Sequence, residues 1–166
     1  PIFIFTNMNM RIGKGIEFHQ LEEGRDFLLG GIKIPHYKGA IGHSDADVLL
    51  HAICDALLGA LSLGDIGKHF PDTDMSYKNI DSKILLKKTY ALVQEKNYKI
   101  VNIDSTLCLE KPKINPFIFE MREVIAHVLN ISLDDISIKA TTAERLGFIG
   151  REEGVMAYAT VLLGEK

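Results

Sequence analysis

The chain has 166 residues, 46% of them hydrophobic and 25% charged, with a formal net charge of −3. That length suits one domain with a sizeable core, and the slightly acidic balance without a Lys/Arg cluster argues against a nucleic-acid-binding surface. No apolar run approaches the roughly 20 residues that span a bilayer, so no membrane domain is expected, and the only cysteines, Cys54 and Cys108, read as reduced core residues rather than a disulfide framework.

Residues 1–9 are read as an N-terminal extension or an artificial remnant, and 10–166 as a single domain. Residues 10–19 form the first predicted strand, in which Glu17 and His19 leave the same face. Residues 27–35, with Gly30-Gly31 inside, read as a hairpin or a bulged pair of strands. The first long helix is predicted from 44 or 45 to 63, with Val48, Leu49, Leu50, Ile53, Ala56 and Leu57 covering most of its circumference. Asp47, His51 and Asp55 recur every four residues on one face of that helix. Buried polar groups need partners, so this stripe calls for one, a metal or a neighbouring side chain.

A long loop is expected over 64–81, where Gly, Pro, Asp, Ser and Asn are dense and aspartates such as Asp65 and Asp72 could accept hydrogen bonds from substrate hydroxyls or simply form turns. A second helix follows over 82–96. Residues 98–110 alternate as a strand, with Ile100, Asn102 and Asp104 opposed to Val101, Ile103 and Leu107. Asn115-Pro116 supplies an N-cap and a first-turn proline for a helix ending near Leu129, with Asn130 at its end. Strands over 136–142 and 155–163 close the chain. The expected class is α+β, a single-layer mixed β-sheet with helices on one face, of the ferredoxin-like or βαβ type.

One carboxylate and two imidazoles, from Glu17, His19 and His51, suit zinc with a fourth position left open. Near the C-terminus, Thr141 and Thr142 end a strand and precede Glu144, which could hold a hard cation or take part in a capping arrangement.

The segments MRIGKGIEFH, GGIKIP, GHSDADVLLHAICDALLGALSLGDIGKHFPDTD, DSKILL, KPKI and IKATTAERLGFIGREEG occur in the order found in the 2-C-methyl-D-erythritol 2,4-cyclodiphosphate synthase family, which the chain resembles over nearly all of residues 10–163. The resemblance implies a homotrimer around a three-fold axis, with active sites between subunits. It implies that 4-diphosphocytidyl-2-C-methyl-D-erythritol 2-phosphate cyclises as its 2-phosphate attacks the β-phosphate and expels CMP, a step of non-mevalonate isoprenoid synthesis.

By position, Glu17, His19 and His51 match zinc ligands, and Glu144 matches the residue that holds a second divalent ion, Mg²⁺ or Mn²⁺. His43 and Thr142 match catalytic positions. Ser44 matches a contact of the attacking phosphate; Asp65, Gly67 and Asp72 match contacts of the methylerythritol unit; Leu109, Pro112, Lys113 and Thr141 match the cytidine pocket. Phe148 and Arg151 match residues near the trimer axis, which in some members holds a prenyl diphosphate. The family normally has Asp where Glu17 stands, often His at Lys14 and commonly an aromatic at Ile16, departures that bear on the axial site more than on catalysis. Asp47 and Asp55 are expected to orient His51 or to pack beside it. A cytoplasmic location of bacterial type is expected, with a plastid or apicoplast as the alternative.

Overall fold

The computed structural model describes residues 9–71 and 73–166. Of the expected extension only Asn9 falls within that range, and Asp72 lies outside it. Strand β1 (Met10–Glu23) runs four residues beyond its predicted end. Its far end pairs with β4 (Lys38–Ala40), a three-residue strand too short to show alternation in sequence. Between them lies the expected hairpin, β2 (Phe27–Leu29) and β3 (Ile32–Ile34), turned by Gly30 and Gly31. Both glycines have positive φ, 61° and 82°, as a tight two-residue hairpin turn demands.

Helix α1 (Val48–Ala60) is shorter at both ends than predicted, because Asp47 is its N-cap rather than a helical residue. The long loop that follows holds the short helix α2 (Ile66–His69), capped by Asp65. Helix α3 (Ser82–Glu95) leads into β5 (Tyr98–Cys108). A bulge between Ile100 and Asn102 turns both Ile100 and Ile103 into the core, where strict alternation had set them on opposite faces. Asn115 gives no side-chain cap; it opens a 3₁₀ turn, and α4 (Ile118–Leu129) begins after it. Asn130 ends α4 in the left-handed conformation (φ 53°), as expected. Strand β6 (Ile136–Thr141), the single turn α5 (Gly147–Gly150) and β7 (Gly154–Glu165) complete the chain.

The main sheet has the order β4-β1-β7-β5-β6 and is antiparallel except for β5 and β6. A chain that goes from β1 through helices to β5 leaves room for β7 between them, while β5–α4–β6 is a crossover joining direct neighbours. The βαβ expectation is met. The β-α-β-β-α-β succession of a ferredoxin-like chain is not, because here the two terminal strands follow one another without a helix longer than one turn.

Helix α1 packs on β1 and β7 and is buried on nearly every side. It lies so close because β1 has no side chain beneath it at Gly13 and Gly15, where an added Cβ would meet the carbonyls of Ala56 and Ala52 at 1.8 and 1.9 Å. The odd-numbered residues of β1 from 13 to 21 therefore face α1, whereas Ile12, Ile16 and Phe18 are exposed on the opposite face together with Tyr158. No helix among the described residues is long and apolar enough to cross a membrane. Cys54 is buried and Cys108 half-buried, both unpaired.

Candidate metal centre and active site

Strand period puts Glu17 and His19 on the α1 side of β1, and the close approach at Gly15 brings His51 down beside them. His19 Nε2 and His51 Nδ1 face each other at 3.1 Å, with the rings nearly perpendicular, and Glu17 Oε1 lies 4.0 Å from His19 Nε2. One ligand atom from each of the three falls within 4.8 Å of the others. That is the spacing of donors around one ion.

The electrostatics favour a cation. Burial lowers the pKa of both imidazoles to about 4, in His19 with help from His51, so both rings are held neutral with lone pairs available. Burial, and then the negative charge of Asp55, raises Glu17 to about 7. Among the described residues no lysine or arginine lines the cavity. A carboxyl whose ionisation is resisted, beside two neutral imidazoles, is stabilised by a divalent ion, and two histidines with one carboxylate leave positions open for a ligand.

The cavity, of about 350 Å³, is lined also by His43, Ser44 and Gly67, with Phe70, Tyr77 and Ile80 as its apolar wall. His43 Nε2 is buried and has no partner among the described residues. Ser44 Oγ lies 3.0 Å from His51 Nε2. Asp65 does not line the cavity; it is exposed, its carboxylate accepting the Lys68 N–H at 3.0 Å.

A second cavity, of about 260 Å³, gathers Leu109, Pro112, Lys113, Thr141 and Thr142. No residue lines both cavities. Glu144 lines neither; it is exposed, with φ 51°, and its Oε1 accepts the Thr142 hydroxyl at 2.9 Å. The capping alternative is not met: Thr142 opens no helical turn, α5 begins only at Gly147, and the bond to Glu144 is between side chains two residues apart. Phe148 packs on Phe18, ring centroids 6.1 Å apart, and Arg151 pairs with Glu153 at 2.9 Å.

The Asp47 and Asp55 carboxylates hydrogen-bond to groups other than the His51 ring, contrary to the expectation that they orient it. The buried Asp47 carboxylate accepts backbone N–H groups of Leu49 and Leu50 and reaches across to those of Gly30 and Gly31. Asp55 Oδ1 accepts the Ile66 N–H at 2.7 Å and so ties α2 to α1. Besides His19, the groups that do reach the ring are hydroxyls, Ser44 and Ser82, the latter 2.9 Å from Nε2. Ser82 was not legible as part of a site, because in sequence it reads as the opening of α3.

The chain is thus an α+β protein with a two-histidine, one-carboxylate cluster, set in a cavity, that could hold a divalent metal. Residues 10–164 match the YgbB family, and the chain belongs to that family. The 2-C-methyl-D-erythritol 2,4-cyclodiphosphate synthase of Bacteroides fragilis is 62% identical over 156 residues, which are 94% of this chain and 98% of that protein. Among solved structures, the bifunctional IspDF from Campylobacter jejuni is 42% identical with a TM-score of 0.93; the match covers 96% of this chain and 43% of that longer polypeptide. A 2C-methyl-D-erythritol-2,4-cyclodiphosphate synthase in its CDP-bound form is 38% identical with a TM-score of 0.86, over 92% of this chain and 99% of that one.

Proposed function

We propose that the chain is a cyclising phosphorus–oxygen lyase that converts 4-diphosphocytidyl-2-C-methyl-D-erythritol 2-phosphate to 2-C-methyl-D-erythritol 2,4-cyclodiphosphate and CMP. The observation that carries this reading is the convergence of Glu17, His19 and His51 in one cavity with His43, Ser44 and Gly67, in a chain related to such synthases throughout its length. An oxygen of the substrate's 2-phosphate forms a bond to the β-phosphorus. The bond from that phosphorus to the oxygen bridging the α- and β-phosphates breaks, and CMP departs. Nucleophile and leaving group both belong to the substrate, so the protein positions them and offsets charge.

Glu17, His19 and His51 hold zinc in this reading, and Glu144 with the substrate phosphates holds Mg²⁺ or Mn²⁺; when bound, these ions supply Lewis-acid charge to the phosphates. Ser44 orients the attacking phosphate from the mouth of α1. His43, whose Nε2 has no partner among the described residues, and Thr142 donate hydrogen bonds to phosphate oxygens as charge shifts. Asp65, Gly67 and Asp72 receive the methylerythritol unit, and Leu109, Pro112, Lys113 and Thr141 form the cytidine pocket.

The metal and nucleotide cavities share no residue; the family resemblance implies that a neighbouring subunit brings one to the other, in a homotrimer. The apolar, exposed face of the sheet, with Ile12, Ile16 and Phe18, supports it, since monomeric proteins rarely leave such patches open. Phe148 and Arg151 then lie toward the axis, where a prenyl diphosphate would find apolar and cationic contacts. The reading carries a cytoplasmic location with it.

Phosphorus NMR of the purified protein with the diphosphocytidyl substrate tests the reaction. Cyclic diphosphate appearing with CMP is the expected result. Linear hydrolysis products would instead mark a zinc phosphohydrolase, and an unchanged substrate a binding protein; either outcome overturns the proposal.

A further inference from the structure

The ring of His51 has two nitrogens with different surroundings. Nδ1 faces His19 and, with Glu17, the centre of the candidate metal cluster. Nε2 faces away, toward the hydroxyls of Ser82 at 2.9 Å and Ser44 at 3.0 Å. A neutral imidazole carries one proton, and only the nitrogen without it can bind a metal.

Asp45 decides which nitrogen that is. Its carboxylate accepts both available protons of Ser82: the backbone N–H at 2.9 Å on Oδ2 and the hydroxyl on Oδ1. A carboxylate has no proton to return, so the Ser82 hydroxyl is committed to Asp45 and presents only lone pairs to His51. A bare Nε2 would set lone pair against lone pair across 2.9 Å, in a place where Ser82 is fully buried and water cannot relieve the conflict. With the proton on Nε2, the ring donates to Ser82, and Nδ1 keeps its lone pair, directed toward His19 Nε2 at 3.1 Å.

We infer that Asp45 and Ser82 are positioning residues that fix His51 in the Nε2–H tautomer and so prepare Nδ1 for a divalent ion before it arrives. The inference rests on the reading of Glu17, His19 and His51 as a metal site. It also frees Ser44. That oxygen accepts the Ala46 N–H at 3.2 Å and lies beside Nε2, leaving its own proton to point into the cavity toward an anionic ligand.

The test uses the metal-free protein and zinc alone. Nitrogen-15 NMR of the imidazoles in the metal-free wild type should show His51 protonated at Nε2, and zinc affinity is read by chelator competition. Asp45→Ala releases the Ser82 hydroxyl to donate to Nε2, so the tautomer should shift toward Nδ1–H and zinc affinity should fall about 10- to 100-fold. Asp45→Asn keeps one oxygen acceptor for the hydroxyl and should recover most of that loss, which a role in folding alone would not produce. Asp45 is only half-buried, so these variants keep the question open to measurement even where Ser82→Ala fails to fold.

Unchanged tautomer and unchanged affinity in Asp45→Ala would overturn the relay. Undiminished zinc binding by His51→Ala would overturn the metal reading beneath it, so the two failures are told apart.

Discussion

Gly15 on β1 and Ala52 on α1 meet backbone to backbone, with room for no Cβ between them. This contact sets the height of His51, one residue before Ala52, above Glu17 and His19 on the strand. Gly15→Ala should therefore cost about 3 kcal/mol, at the upper end for overpacking because backbone cannot move aside as a side chain does, and should lower zinc stoichiometry as well. Urea denaturation and metal analysis of one preparation check both. Gly59, exposed on the same helix and 3.8 Å from its nearest neighbour at an added Cβ, provides the contrast: Gly59→Ala should stabilise by about 0.5–1 kcal/mol.

His51→Ala should remove stoichiometric zinc and abolish the cyclisation while leaving the fold intact, because alanine suits a helix and the lost ring borders a cavity. Metal analysis after dialysis, beside a circular dichroism melt, checks it. Full zinc occupancy in that variant would contradict the assignment.

The pH dependence of zinc affinity follows from the three ligands. In the metal-free protein Glu17 keeps its proton up to about pH 7, whereas His19 and His51 have lost theirs above about pH 4. Between pH 5 and 6.5 an entering ion therefore displaces one proton, from the carboxyl, and affinity should rise about tenfold per pH unit. Above pH 7 the carboxylate is already charged and the rise should level off. Ordinary histidines would steepen the acid limb instead, so competition titrations across this range discriminate. A limb of about a hundredfold per unit would refute the neutral imidazoles.

The assembly has its own test. Ile12 is 72% exposed in the single chain, so Ile12→Glu should change the stability of an isolated chain by no more than about 0.5 kcal/mol. Buried at a subunit interface, the same carboxylate should break the trimer. Sedimentation equilibrium is expected to give the mass of three chains for the wild type and of one for the variant, with activity lost alongside.

Much of this was legible before any coordinates. Strand period alone set Glu17 and His19 on one face, and the apolar circumference of 48–61 marked a buried helix bearing His51. What escaped were contacts between segments distant in sequence. The spacing of Asp47 and Asp55 implied a shared role with His51, but helical period says which side a residue lies on and not what stands opposite. Asp47 in fact faces the β2–β3 hairpin, and Asp55 the start of α2. Asp45 and Ser82 are 37 residues apart, and each has an innocuous local explanation as an opening residue of a predicted helix. The bulge in β5 likewise arises from pairing with β7, which no window on 98–110 contains. Family resemblance could name Thr142 and Glu144, yet the left-handed backbone of Glu144 and the absence of both from the lining of the metal cavity are properties of the fold.

Asp47 caps one stiff, buried rod on whose first two turns His51 and Asp55 stand, and each grips a different object: a hairpin, the candidate metal cluster and the loop that carries Gly67. A helix does not stretch, so the separations among these three objects are fixed by its rise of about 1.5 Å per residue rather than negotiated among them. Helix α1 thus acts as a gauge bar. A disturbance at the hairpin is transmitted as displacement of the metal ligand and of the loop together, and the two ends of the cavity keep their spacing or lose it as one.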